Sequence, residues 1–153
     1  QGDYLLIQFG HNDEKSEDPA RYTTPEETFP QYLRRYIDLA KSHGATPVLI
    51  TPVARRRFEN GHTVNTHGAY PEAVRALAQQ ENVVCIDLSA LSQQLMDEMG
   101  EEDSKTLFTK TKPGEFPGYP EGHDDDTHFC QQGAIAIAYL VAKEMKKAFP
   151  GKF

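Results

Sequence analysis

Tyr4-Leu5-Leu6-Ile7-Gln8-Phe9 is a short, almost unbroken apolar run closed by Gly10. Its length and lack of a helical period predict a strand buried on both faces. Polar residues from Glu14 to Ala20 predict a loop. Thr24-Pro25-Glu26-Glu27 carries the marks of a helix start: a capping Thr, Pro at the first helical position and Glu in the capping-box place. Pro30 interrupts that pattern, so the spacing predicts a long helix from about Thr28 to His43. Phe29, Leu33, Tyr36, Ile37 and Ala40 fall on one face of it, and Gly44 is the expected stop. Pro47 to Thr51 reads as a second buried strand, ending in Pro52, and Arg55 to Gly68 as a polar loop. Pro71 starts a helix to about Gln80, and Val83 to Leu88 is a third strand. Ser89 is placed to cap a helix through Met99, with a further helical turn or two before Phe108. Gly and Pro recur from Thr109 to Thr127, which predicts a long loop; loops of that length in compact domains are often functional. A last helix runs from about Gln131 to Phe149, with Ala134, Ala138, Val141, Met145 and Phe149 on one side.

The predicted order is β-α-β-α-β-α-α. Strands alternating with helices imply a parallel sheet covered on both faces, the α/β class, with right-handed crossovers. Neither a linker nor a repeat divides residues 1–153, which read as a single domain. In such sheets ligands bind beyond the carboxyl ends of the strands. Gly10 to Asp13 and Pro52 to Arg57 occupy those ends, and the loop before the last helix can reach the same edge. An all-apolar first strand suits a sheet centre. At an edge it would present unpaired backbone groups beside apolar side chains. The expected partner of strand Tyr4–Phe9 is an N-terminal remainder of the same domain, or another chain.

Composition changes this picture little. A chain of 153 residues can bury roughly 70% of its unfolded surface. A net charge of −7 argues against a nucleic-acid partner, although Arg55-Arg56-Arg57 is a local basic site. No apolar run approaches the roughly 18 residues that a transmembrane helix needs, so no membrane partner is expected. Cys85 and Cys130 read as two unpaired thiols. No signal peptide is evident; with the chain starting almost directly in a strand, bacterial extracellular and cytoplasmic locations both stay open.

The chemistry concentrates at two places. Asn12, just past the first strand, carries a side-chain amide that can donate to a developing oxyanion. His11 beside it either lines a cleft or packs, and Asp13 suits a structural role within the turn. Far downstream, Asp125 and His128 are three residues apart. In a turn, that spacing lets the carboxylate accept from Nδ1–H, fix the tautomer and leave Nε2 as a base. Asp124 and Asp126 compete for the acid role but lack the spacing. His123, Asp124, Asp125, Asp126 and His128 also offer nitrogen and carboxylate ligands, yet they fit no familiar zinc pattern, so neither a metal nor another cofactor is expected. Arg55 and Arg56 follow the second strand, where guanidinium groups can bind carboxylates. His62, His67 and Tyr70 lie in or beside the same loop and are weaker cleft candidates.

Together these residues resemble the SGNH-hydrolase superfamily, most closely its rhamnogalacturonan acetylesterase group. Gly10-His11-Asn12-Asp13 is similar to the superfamily's Gly-x-Asn-[Asp/Glu] block, and Asp125-Asp126-Thr127-His128-Phe129 to its Asp-x-x-His block. Thr51-Pro52-Val53-Ala54-Arg55-Arg56, His67-Gly68-x-Tyr70-Pro71 and Gly133-Ala134 look like the esterase group in particular. The resemblance implies a three-layer α/β/α, flavodoxin-like parallel sheet. Its catalytic set would be Asn12 as oxyanion donor, Asp125 as acid and His128 as base, with Arg55, Arg56 and His11 toward substrate.

One departure is plain. The family carries its nucleophile in a Gly-Asp-Ser block after the first strand, and a second block supplies an oxyanion glycine; neither is present. Gly2-Asp3 is followed by Tyr4, and Ser16, Ser42, Ser89, Ser92 and Ser104 lack the context. In family terms the sheet lacks its first two strands and the serine lies upstream. The expectation is therefore a parent esterase that removes acetyl groups from an acetylated pectic polysaccharide or oligosaccharide, with this chain alone inactive. The alternative is a non-catalytic carbohydrate-binding or scaffold module on the same fold.

Overall fold

A computed structural model describes residues 2–153. They form two compact units: the segments up to Val53 and His67–Ser89 make one, Ala54–Thr66 and Ala90–Phe153 the other.

The first unit holds a parallel sheet of β1 (Tyr4–Gln8), β2 (Thr46–Ile50) and β5 (Val84–Ile86), in the order β1-β2-β5. Leu6 lies opposite Val48, and Val48 opposite Val84. The central strand is the one that the apolar run describes best: Val48 and Leu49 are wholly buried. β1 is an edge. Ile7 is 3% exposed, but Leu6 and Phe9 are 44% and 42% exposed, so the expectation of burial on both faces fails for this strand. Helices α1 (Thr28–Ser42) and α2 (Tyr70–Glu81) pack with the sheet. Their apolar stripes, Phe29, Leu33 and Ile37 on α1 and Tyr70, Val74 and Leu77 on α2, meet Ile7 and Leu49 in one core. Tyr36, expected on the buried face, is half-exposed and stacks on Phe9 with ring centroids 5.1 Å apart. The start of α1 also differs in detail. Thr24 Oγ1 accepts from the Thr28 N–H at 3.1 Å, and Thr28 Oγ1 accepts from the Thr24 N–H at 2.7 Å. The reciprocal cap is thus closed by a second Thr rather than by Glu27.

In the second unit, β3 (Phe58–Glu59) and β4 (His62–Thr63) form a small ribbon inside the expected loop. Helix α3 (Leu88–Asp103) begins in the first unit at Leu88, one residue before the expected cap, Ser89. Gly100 breaks it with φ of 81°, and a 3₁₀ turn follows over Ser104–Leu107. The largest difference from expectation is the segment 109–127. β6 (Phe108–Thr111) pairs antiparallel with β7 (His123–Phe129), so the true loop is only their connection. Gly and Pro crowd that connection and mask the strands at either side. α4 (Gln131–Ala148) then packs through Gly133, Ala136 and Met145, whereas the expected Ala134 and Ala138 are exposed. Its closest approach sets this face: a Cβ on Gly133 would lie 1.9 Å from the Leu107 carbonyl oxygen. Met96, Leu107 and Phe108 form the core of this unit, with Phe129 against Phe108 at 4.9 Å between ring centroids.

Candidate active site

In the first unit, the carboxyl end of β1 opens at Gly10 onto a cleft of about 400 Å³ lined by Gln8, Phe9, Gly10, His11, Asn12, Asp13 and Arg21. Gly10 has φ of 127°, and a Cβ there would meet Pro52 Cγ at 3.0 Å, so only glycine lets the chain turn against Pro52. Asp13 closes the turn: its Oδ2 accepts from the Gly10 N–H at 2.9 Å. Asn12 is exposed on the rim, between these two anchors. His11 Nε2 donates to the Val53 carbonyl at 2.8 Å, and its ring lies 4.3 Å from that of His67. His11 therefore both lines the cleft and ties the turn to the residues after β2. His67 is 1% exposed; its Nε2 meets the same carbonyl at 2.9 Å and its Nδ1 meets Glu14 at 3.1 Å. Tyr70 donates to the Asp13 carbonyl at 2.8 Å. Burial, reinforced by Tyr22, Asp13, Glu14 and Glu26, pushes its phenol up to about 12, so it stays a donor at every ordinary pH. His67 and Tyr70 are thus supports for the loop that carries Asn12.

In the second unit, Asp125 and His128 lie together on β7. Asp125 Oδ2 accepts from His128 Nδ1 at 2.6 Å. Oδ1 accepts from the backbone N–H groups of Thr127 at 2.6 Å and His128 at 2.9 Å, the geometry of a tight Asx turn. Burial alone would push the Asp125 carboxyl up. The hydrogen bonds from His128, Thr127 and His123 outweigh it and hold the acid well below the usual carboxylate range. An ionised carboxylate only accepts, so His128 carries a proton on Nδ1, on a side chain 79% exposed. The rival aspartates have other partners. Asp124 binds Lys110, and Asp126 binds Lys110 at 2.7 Å and Arg56 at 3.1 Å.

The two arginine candidates separate. Arg56 has a buried guanidinium: Nε donates to Ser104 Oγ at 3.1 Å, Nη1 to Asp126 at 3.1 Å and Nη2 to the Glu101 carbonyl at 2.5 Å. It braces its own unit. Arg55 is half-buried, with Nη1 3.4 Å from the Thr66 carbonyl oxygen. The serines of this unit are engaged as well. Ser92 Oγ accepts from the Ala54 N–H at 3.0 Å, and Ser104 Oγ donates to the Glu101 carbonyl at 3.1 Å. Burial pushes the Cys85 thiol up to about 11, which removes it as a nucleophile near neutral pH. No three His, Cys, Asp or Glu side chains group to hold a metal ion, and no helix is long and apolar enough to cross a membrane, among the described residues.

Two residues escaped the sequence reading. His123, weighed there only as a metal ligand, reaches Asp125 Oδ2 through Nε2 at 3.2 Å. Lys110 joins the two strands through Asp124 and Asp126. The signal for both was strand periodicity: His123 and Asp125 are two apart on β7 and share a face, as do Asp124 and Asp126.

A parallel α/β unit with Gly-His-Asn-Asp at a strand end, and an Asp-x-x-His pair on a later strand, defines a chain of the SGNH-hydrolase kind. The chain belongs to the GDSL-like lipase/acylhydrolase family, which its residues 1–134 match. It is 49% identical over 148 residues to the rhamnogalacturonan acetylesterase RhgT of Bacillus subtilis (strain 168), covering 96% of this chain and 62% of that protein. It is 43% identical over 145 residues to the probable rhamnogalacturonan acetylesterase YesY of the same organism, covering 95% of this chain and 63% of that protein. The chain thus spans less than two thirds of the length of these relatives. Among solved structures, protein YxiM from Bacillus subtilis superposes with a TM-score of 0.78 at 28% identity, over 99% of this chain and 39% of that one. The acetylxylan esterase Axe2 from Geobacillus stearothermophilus shares the fold, with a TM-score of 0.59 at 19% identity over 94% of this chain and 59% of that one.

Proposed function

We propose that the protein to which this chain belongs is a carbohydrate esterase that removes acetyl groups from a pectic polysaccharide such as rhamnogalacturonan, by a Ser-His-Asp mechanism whose serine lies upstream of Gln1. The observation that carries this reading is the 2.6 Å contact of Asp125 with His128 Nδ1, which leaves Nε2 as the base. The names of the relatives RhgT and YesY support the substrate class. The exposed apolar edge of β1 supports a further strand of the same domain pairing there.

In this mechanism His128 Nε2 takes the proton of the serine hydroxyl as its oxygen attacks the acetyl carbonyl carbon. The Asn12 amide donates to the tetrahedral oxyanion. The proton on Nε2 passes to the sugar oxygen as its bond to carbon breaks. Water then repeats the sequence on the acetyl-serine and releases acetate. Asp125 stays ionised throughout and stabilises the imidazolium. Arg55, better placed than the buried Arg56, contacts a galacturonate carboxylate.

The test is acetate release from acetylated rhamnogalacturonan by the full-length protein and by this chain alone. The full-length protein should turn over and lose about 10²–10⁴-fold in kcat on His128→Ala. The isolated chain should not. Glycan binding by the full-length protein without acetate release would instead favour a non-catalytic binding module.

A further inference from the structure

We propose that His123 is a positioning residue for the Asp125–His128 pair: seated on Tyr119, it donates through Nε2–H to Asp125 Oδ2 and so fixes the oxygen that His128 Nδ1 must meet. This rests on the reading of His128 as the catalytic base.

The argument starts from what Asp125 can accept. A carboxylate has two oxygens and about four acceptor positions. Oδ1 takes two backbone N–H groups, from Thr127 and His128. Oδ2 takes His128 Nδ1 at 2.6 Å and His123 Nε2 at 3.2 Å. The carboxylate is therefore filled on both sides, and its rotation about the Cβ–Cγ bond is stopped at both oxygens rather than one. Because the carboxylate only accepts, His123 carries its proton on Nε2 while His128 carries its own on Nδ1. The two rings hold opposite tautomers across one oxygen.

His123 is itself held. Its ring stacks on Tyr119, with centroids 4.5 Å apart and planes inclined by 16°. Its backbone is fixed by the β6–β7 ribbon, in which it lies opposite Thr111. Side-chain exposure falls from 79% at His128 to 36% at His123 and 13% at Asp125, so the shared oxygen lies in the least solvated part of the group. There a second donor is worth more than it would be in water. A positioning role is one that a dyad on a short turn needs: the backbone donors hold Oδ1, and no other N–H is recorded on the Oδ2 side besides the two rings, among the described residues.

Two variants of the full-length protein separate positioning from packing. His123→Phe keeps a ring over Tyr119 but removes the N–H. His123→Gln keeps a donor at the reach of Nε2. We expect His123→Phe to lower kcat about tenfold with KM unchanged, and His123→Gln to recover most of that loss. A second readout does not depend on turnover: the low-field proton resonance of His128 Nδ1–H should be present in the wild type and His123→Gln and broadened by exchange in His123→Phe. If His123→Phe fails to fold, Tyr119→Leu supplies the measurement, since unseating the ring should broaden the same resonance. Wild-type kcat and an unchanged resonance in His123→Phe, or in Tyr119→Leu, would overturn the proposal. A wild type without esterase activity that still shows the resonance change would sink the esterase reading alone.

Discussion

Arg56 and Asp126 are joined twice: the Arg56 backbone N–H donates to the Asp126 carbonyl at 2.8 Å, and Nη1 donates to its carboxylate at 3.1 Å. This double link ties the segment after Ala54 to β7, the strand that carries Asp125 and His128. Removing the guanidinium leaves Asp126, Ser104 and the Glu101 carbonyl without a shared donor. Arg56→Met should cost about 3 kcal/mol of stability, and Arg56→Lys should recover little, because one ammonium cannot meet three divergent acceptors. Urea unfolding monitored by circular dichroism checks both.

Gly133→Ala should be as damaging although it adds one carbon. That carbon would lie 1.9 Å from the Leu107 carbonyl oxygen and 2.9 Å from Phe129 Cδ1, and the first of these contacts is rigid backbone. We expect a loss of about 3 kcal/mol, or displacement of α4 from its unit, read as a drop in Tm. Exposed Ala134→Ser, the next residue along the same helix, is the control and should leave Tm nearly unchanged.

Asp125 predicts the acid limb of stability. Its folded-state acidity is strengthened, so its contribution is fully present above the unfolded carboxyl value of about 3.9 and is lost as pH falls below that toward the folded value. Denaturation midpoints taken at about pH 5 and about pH 3 should differ less in Asp125→Asn than in the wild type. An equal decline in both would show that other carboxylates govern acid unfolding.

Asn12 should matter to rate and little to folding. Its side chain is exposed on the rim, while Gly10, Asp13 and Tyr70 hold the turn. In the full-length protein, Asn12→Ala should lower kcat about 10²–10³-fold with an unchanged Tm. A parallel loss of Tm would assign Asn12 to the turn instead.

Arg55→Ala should weaken action on the acidic polymer and spare a small neutral acetyl ester. Comparing kcat/KM for acetylated rhamnogalacturonan and for a chromogenic acetate gives the answer. Equal losses on both substrates would remove Arg55 from polymer recognition.

The helices of the first unit were legible because their apolar stripes are long and regular; Phe29, Leu33 and Ile37 mark one face whatever surrounds them. The strand order was less so. Tyr4–Phe9 is the more continuous apolar run, yet Val48 and Leu49 take the centre, because a run of apolar residues records affinity for burial and not the neighbour that supplies it. β6 and β7 were hidden by their chemistry. His123 to His128 is so rich in acid and imidazole that the segment lacks the β-branched and aromatic signature of a strand, and pairing with Phe108–Thr111 overrides propensity. Of the candidate site, Asp125 and His128 were legible through their spacing, which a tight turn converts directly into contact. The separation of Arg55 from Arg56 was not, since adjacent residues of one type differ only in the direction the backbone gives them.

The Asx turn at Asp125 has one more consequence. Every hydrogen bond described on its Oδ1 comes from within the next three residues of chain, so Asp125 and His128 are held together by local backbone alone. Lengthening or shortening the 112–122 connection would leave these two backbone hydrogen bonds in place, even where it unseated His123 from Tyr119. On the proposed mechanism, a change far from this turn that abolished acetate release would leave the Asp125–His128 contact intact, and the low-field His128 proton would persist.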